Sequence, residues 1–298
     1  MTITKASRGS FLRAEAGAWE PVEYHRIDEV EVAVARRGRG VPVVCLHAIA
    51  HGARDFEPLA ERVGDAAEII AVDWPGQGRS GPAREPASAA SYASLLERLL
   101  PQLSDEPVVL LGCSIGGAVA IQLAARRPDL VRALVLCNSG GLLAVDRLTR
   151  AATRAMSTFF RQGARGAWWY GGAFGLYYRL VLAETAAAAQ RERIVAAAYE
   201  TAAPLAEAWA SFGRPEADLR GLIPQIRQPT LFAWTTGDRI LPWSRHAAAA
   251  RLFPDHRIEL FRGGHAAFLE DPQRFAEAFR VFLGDLKAAP QPRFAETA

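Results

Sequence analysis

Lysine is nearly missing from this chain of 298 residues: Lys5 and Lys287 are the only two, and the remaining basic charge is arginine. The formal net charge is only +3, and no basic stripe interleaved with aromatics occurs. Phosphate backbones are bound by such stripes, so no nucleic-acid partner is expected. The densest basic cluster, Arg36, Arg37 and Arg39, falls in a turn between two predicted strands and reads as a solvated hairpin. Cysteine is scarce too. Cys45, Cys113 and Cys137 lie on or at the ends of predicted central strands, an odd number without framework spacing. They read as buried free thiols, which suits a reducing cytoplasm. The first 21 residues hold no apolar core of signal-peptide length, and no stretch approaches a transmembrane span. A cytoplasmic protein without a membrane partner is the expectation.

Metal and nucleotide signatures are wanting as well. His47 and His51 stand at i and i+4, but no glutamate follows His47 and no helical pattern surrounds the pair. H-E-x-x-H is therefore not made, and no metal is expected. Gly76-Gln77-Gly78-Arg79-Ser80-Gly81 matches G-x-G-x-x-G, but Pro82 and Pro86 follow where a dinucleotide site needs a helix to open. No cofactor is expected. His25 and His256 read as surface strand residues and His246 as a surface helix residue.

Against these absences stands one dense signal, Gly112-Cys113-Ser114-Ile115-Gly116, with Gly117 after it. Residues 108–111 are an apolar run and residues 118–125 have helical periodicity, so the stretch reads as strand, sharp turn, helix. A serine on such a turn sits in a strained conformation with its hydroxyl pushed out of the sheet, and the Ile115 N–H at the helix start faces developing negative charge. Cys113 is adjacent, with its side chain directed away from that of Ser114. A nucleophilic serine needs a base and the base needs an orienting carboxylate. Residues 229–234 form an apolar run that leads into Gly237-Asp238, and residues 258–261 form another that leads into Gly264-His265. Asp238 and His265 thus stand at strand C-terminal ends, where an open parallel sheet gathers its functional residues.

Half of the residues, 50%, are hydrophobic, enough for a sizeable core. Residues 22–27 and 30–34 alternate as half-exposed antiparallel strands do. After them, apolar strands at 41–46, 69–72, 108–111 and 133–137 alternate with helical segments, which predicts a mostly parallel sheet. From 142 to 226 no strand is legible. That segment is rich in alanine, arginine and aromatics, too long for a loop, and glycines at 163, 166, 171, 172 and 175 interrupt its middle. Arg147, Arg150 and Arg154 share one helical stripe, which reads as a solvated face.

Taken together, Leu46-His47 with Gly52, Asp73-Trp74-Pro75-Gly76-Gln77-Gly78-Arg79-Ser80, the turn at Ser114, Gly237-Asp238 with Pro242, and Gly264-His265 with Glu270 and Pro272 resemble the α/β-hydrolase superfamily. The resemblance covers about residues 22–286 in the family's order. It implies an α/β-hydrolase fold with a core of 1–141 and 227–298 and a helical cap inserted at 142–226. It implies a serine hydrolase in which Ser114 attacks, His265 is the base, Asp238 holds the imidazole, and the N–H groups of Ile49 and Ile115 bind the oxyanion. The substrate implied is a small, largely apolar ester. A C–C bond, thioester or lactone on the same triad, and a non-catalytic ligand-binding member of the fold, are the alternatives. His51, Trp168, Trp169, Tyr170, Phe174 and Tyr178 are the candidate pocket residues. One departure is visible: relatives have glycine after the histidine of the oxyanion loop, and this chain has Ala48. If that position needs positive φ, alanine is strained there.

Overall fold

The computed structural model describes Trp19 and residues 22–288. Eight strands form one sheet: β1 (Val22–Ile27), β2 (Val30–Gly38), β3 (Val41–Leu46), β4 (Ala67–Val72), β5 (Val108–Cys113), β6 (Val131–Cys137), β7 (Thr230–Thr235) and β8 (His256–Phe261). Their spatial order is β1-β2-β4-β3-β5-β6-β7-β8. The first two pairings, β1 with β2 and β2 with β4, are antiparallel, and all others are parallel. The strand β2 runs four residues past the alternating stretch, so Arg36 and Arg37 belong to a strand that pairs with β4 and not to a turn. Arg36 is ion-paired to Glu23 and Glu68 there.

The inner parallel strands, β3 to β7, are covered on both faces and read as continuous apolar runs for that reason, whereas the edge strand β8 is half-exposed. Every residue of β5 and β7 is buried. Flanking helices include α1 (Glu57–Val63), α2 (Ala89–Leu103) and α3 (Ile115–Arg126), with α8 (Trp243–Ala250), α9 (Ala267–Glu270) and α10 (Pro272–Ala288) toward the end. Helix α2 buries Tyr92, Leu95, Leu96 and Leu99 at i, i+3, i+4 and i+7, and the Ser88 hydroxyl caps it by accepting from the Ser91 N–H at 3.0 Å.

Between β6 and β7 the described secondary structure is helical throughout: α4 (Arg147–Ala164), α5 (Tyr170–Val181), α6 (Ala188–Ala196), α7 (Ala202–Phe212) and short 3-10 turns. Glycine does not interrupt α5, which runs through Gly171, Gly172 and Gly175. Its buried stripe, Tyr170, Phe174, Tyr178 and Val181, supplies the packing that outweighs the poor helix propensity of three glycines. Gly163 is needed for contact: a Cβ there would lie 2.4 Å from the ring of Tyr170.

The glycines around Ser114 are fixed by closer approaches still. A Cβ on Gly112 would stand 2.4 Å from the Gly116 carbonyl oxygen, one on Gly116 2.2 Å from the Leu46 carbonyl oxygen, and one on Gly117 2.3 Å from Ser139 Oγ. Backbone atoms cannot yield as flexible side chains do. Gly116→Ala is therefore expected to destabilise the protein by about 1–3 kcal/mol or more, whereas Gly284→Ala, in open space on α10, should stabilise it by about 0.5–1 kcal/mol. Urea unfolding of the two variants checks this; equal effects would show that the elbow is not close-packed.

Candidate active site

Ser114 joins β5 to α3 with φ 55° and ψ −114°, a conformation rarely populated outside glycine. Its backbone is held from three sides. The Ser114 N–H donates to the Cys137 carbonyl at 3.1 Å, and its own carbonyl accepts from Gly117 and from Gly140 at 3.1 and 3.0 Å. Cys113 faces the other way, buried, with Sγ donating to the His265 carbonyl oxygen at 3.6 Å. Burial pushes its thiol well above the ordinary cysteine range, so it is no nucleophile.

Asp238 and His265 meet at the ends of β7 and β8. His265 Nδ1 donates to Asp238 Oδ2 at 2.8 Å. The other oxygen, Oδ1, accepts the N–H groups of Ile240 and Leu241 at 2.7 and 2.9 Å. Asn138 adds a further donor, its Nδ2 lying 2.7 Å from Oδ2 and 2.8 Å from Thr235 Oγ1. Burial would raise the carboxyl of Asp238, but His265, the Leu241 N–H and Asn138 outweigh it and hold the group below the usual carboxylate range. Burial likewise disfavours a charged His265, yet the carboxylates of Asp238 and Glu270 prevail and raise its imidazole above its ordinary value of 6.5. Asp146, the next acid after β6, is exposed and caps α4 by accepting the Thr149 N–H at 2.7 Å.

The loop after β3 carries the second candidate donor, the Ile49 N–H. His47 anchors that loop with both ring nitrogens: Nδ1 donates to the Ala48 carbonyl at 2.7 Å and Nε2 accepts from the Trp74 N–H at 3.1 Å. Burial lowers the pKa of His47, in keeping with that neutral tautomer. The Ala50 N–H donates to Gln77 Oε1 at 2.8 Å, and Ile49 lines the cavity. Ala48 is not strained. The positive φ of this loop, 68°, falls on Ala50 instead. The glycine-rich stretch after β4 is a turn about Asp73, whose Oδ1 accepts from the Ala53 N–H at 2.7 Å and whose Oδ2 accepts from the Arg79 N–H at 3.0 Å. A Cβ on Gly78 would collide with that carboxylate at 2.2 Å.

One cavity of about 350 Å³ reaches Ser114, His265, Ile49, Ile115, His51 and Tyr178 together. Not all the aromatics expected there take part. Trp168 is 90% exposed and Trp169 40%, both on the outer surface. Tyr170 and Phe174 are buried among the helices between β6 and β7, where Tyr170 packs on Phe159 and Phe174 at 5.1 and 5.4 Å between ring centroids. The first half of that stripe, Tyr170 and Phe174, points into the helical segment, and the second half, Tyr178 and Val181, reaches the cavity. Tyr177, Trp209 and Phe212 line it instead. His246 lines it as well and is not a surface residue: it is 1% exposed, donates from Nδ1 to the Pro242 carbonyl at 2.8 Å, and packs on Trp234.

Sequence reasoning assigned no task to Glu270, although it stands five residues after His265. Its carboxylate accepts N–H groups from Gly264, His265 and Ala266 and from Ala183 and Glu184 of the helical insertion, at 2.7–3.1 Å. Among the described residues no cluster of three or more His, Cys, Asp or Glu side chains is placed to hold a metal ion. No helix among them is long and apolar enough to cross a membrane.

These features define an enzyme of the hydrolase class, and the chain belongs to the alpha/beta hydrolase fold family, whose model matches residues 41–272. Among its relatives, an uncharacterized protein of Mycobacterium tuberculosis is 29% identical over 281 residues, covering 85% of this chain and 78% of that protein. A pimeloyl-[acyl-carrier protein] methyl ester esterase of Stenotrophomonas maltophilia is 28% identical over 260 residues, covering 85% and 96%. Of solved structures, an esterase from Exiguobacterium antarcticum superposes with TM-score 0.75 at 21% identity over 87% of this chain and 97% of that one. At that identity the likeness speaks to the fold alone.

The raised imidazole pKa has a measurable sign. A group whose folded pKa exceeds its unfolded value stabilises fully below the latter, here about pH 6.5, and the contribution disappears as pH rises through the folded value. Histidine NMR should place the His265 midpoint above 6.5 in the native protein and lower it in Asp238→Asn. An unchanged midpoint in the variant would remove Asp238 as its electrostatic partner.

Proposed function

We propose that the protein cleaves carboxylic esters of small, largely apolar substrates through an acyl-enzyme on Ser114. The observation that carries this reading is that Ser114, on its strained turn, and His265, bonded to Asp238, open onto one cavity. His265 Nδ1 is the donor to Asp238, so Nε2 carries the lone pair that removes the Ser114 proton as Oγ attacks the carbonyl carbon. Asp238 keeps that tautomer and stabilises the imidazolium that forms. The oxyanion receives the N–H groups of Ile49 and Ile115. The imidazolium then protonates the departing alcohol, the C–O bond breaks, and the same imidazole activates water to hydrolyse the acyl-enzyme and release the acid.

The relatives named as methyl ester esterases support an ester as the bond cleaved. Leu143, Val145, Leu205, Trp209 and Leu219 line the cavity and support an apolar substrate. Arg147, Arg150 and Arg154 are exposed on α4 and lie outside the lining.

Ser114→Ala is expected to fold normally and to lose ester hydrolysis by about 10³-fold or more. Half of native turnover in that variant would remove Ser114 from the mechanism. On a panel of uncharged, anionic and CoA-linked substrates, uncharged short and medium acyl esters should lead, with little effect of salt. Preference for acyl-CoA that weakens with salt and with Arg150→Ala would overturn the apolar-ester assignment.

A further inference from the structure

The triad leaves one buried ionic cluster at the same cavity unexplained. His51 donates from Nδ1 to Asp55 Oδ2, and Arg193 of α6 donates from Nη2 to Asp55 Oδ1. Asp55 is fully buried, the His51 side chain is 2% exposed and that of Arg193 18%. Three apolar side chains would fill this space without the cost of stripping an ion pair of water, so packing alone does not account for the cluster. What it does achieve is a fixed imidazole. A carboxylate only accepts hydrogen bonds, so Nδ1 of His51 carries a proton, and in the neutral ring Nε2 holds a lone pair.

His47 and His51 differ in this respect. Both nitrogens of His47 are bonded within the loop, whereas Nε2 of His51 has no hydrogen-bond partner among the described residues. The hydroxyl of Tyr178 has none either, and its ring lies 5.9 Å from that of His51. Neither atom is sealed off, for both residues line the cavity that holds Ser114. Burial pushes the Tyr178 phenol well above its ordinary range, so the hydroxyl keeps its proton to donate. Only Ala50 separates His51 from Ile49, and His51, Tyr178, Ile49 and Ser114 line the same cavity. An acceptor next to a donor matches one group that both gives and takes a hydrogen bond.

We infer that His51 and Tyr178 form a polar subsite for an aliphatic hydroxyl of the substrate, close to the ester carbonyl. The hydroxyl donates to His51 Nε2 and accepts from Tyr178 Oη. Asp55 and Arg193 are positioning residues: they lock the ring from the core side and from the helical insertion. The rest of the ester occupies the apolar part of the cavity. The inference rests on the esterase reading of that cavity and adds the substrate feature it selects. A site built to bond a hydroxyl discriminates against the analogue that lacks it, because its own polar groups are then left unpaired.

The test uses matched esters: p-nitrophenyl butyrate against its α-hydroxy and β-hydroxy counterparts, and ethyl butyrate against its hydroxyethyl counterpart. Each rate is divided by that of alkaline hydrolysis. The native protein should favour at least one hydroxylated ester by about 10-fold or more in kcat/KM. His51→Asn is the decisive variant. The asparagine amide nitrogen replaces Nδ1 and keeps a donor for Asp55, while no atom replaces Nε2. That variant should lose most of the preference, and Tyr178→Phe should lose part of it. His51→Gln, whose amide reaches the position of Nε2, should recover some of it. The same ratio is read in Kd by calorimetry on Ser114→Ala, with and without His51→Asn, where no turnover is needed. Plain esters favoured throughout, or one preference shared by native and His51→Asn proteins, would overturn the inference and leave the esterase reading intact. A His51-dependent preference in Kd without hydrolysis of any ester by native protein would do the reverse.

Discussion

Helix α3 lies so close to strand β3 that the Leu46 carbonyl oxygen occupies the place of a side chain on Gly116. Most of the site follows from that approach. The helix begins one residue after the strand ends, and Ser114 is forced into positive φ to make the turn. The conformation costs about 1–3 kcal/mol. It persists because β5 is buried on both faces and is paired on either side with β3 and β6 up to the turn. The strain also does something chemical. It lifts the Ser114 side chain out of the sheet and leaves the Ile115 N–H at the open end of a helix, where a partial positive charge is already concentrated.

A second constraint joins the two halves of the cavity. Glu270 binds the histidine loop and the segment after α5 with one carboxylate, and Gly264 lies so near Val181 that a Cβ would stand 2.3 Å from its carbonyl oxygen. A buried carboxylate with five backbone donors is well compensated, since charge-assisted bonds are among the stronger ones. The consequence is mechanical as well as electrostatic. The backbone of the His265 loop and that of the segment after α5 are held against the same anion.

Much of this was legible in the sequence, for identifiable reasons. Buried parallel strands announce themselves as apolar runs, and the glycines at 112, 116 and 117 mark contacts no other residue survives. Asp238 and His265 were legible because strand ends are legible, and their 2.8 Å bond joins residues 27 positions apart in sequence. The helical character of residues 142–226 is legible in the sequence, but its inward faces are not. Aromatic density at 168–178 does not say which ring turns toward the core, and α5 packs Tyr170 and Phe174 against Phe159 and Phe160 of α4. His246 looked polar and exposed for a similar reason: its neighbours are alanines and arginines, and only the packing of α8 on Trp234 shows the ring to be covered. Ions paired across long separations leave no local pattern, so the bond from Arg193 to Asp55 was invisible.

The loop after β3 shows how one short segment divides its labour. Ala48 is without strain, and the left-handed residue of the loop is two positions on, at Ala50. His47 fastens the loop, while His51 is bonded to Asp55 and lines the cavity. Two histidines four residues apart would suggest a metal only if both kept a free nitrogen facing one point. One of them is wholly committed to holding the backbone. The other is held by a carboxylate that the helical insertion also grips, so its remaining nitrogen is fixed relative to Ser114 whenever the insertion is seated. A fixed polar group in the wall of a cavity selects by what the substrate carries at that point, while apolar stretches of the same wall accept a range of shapes.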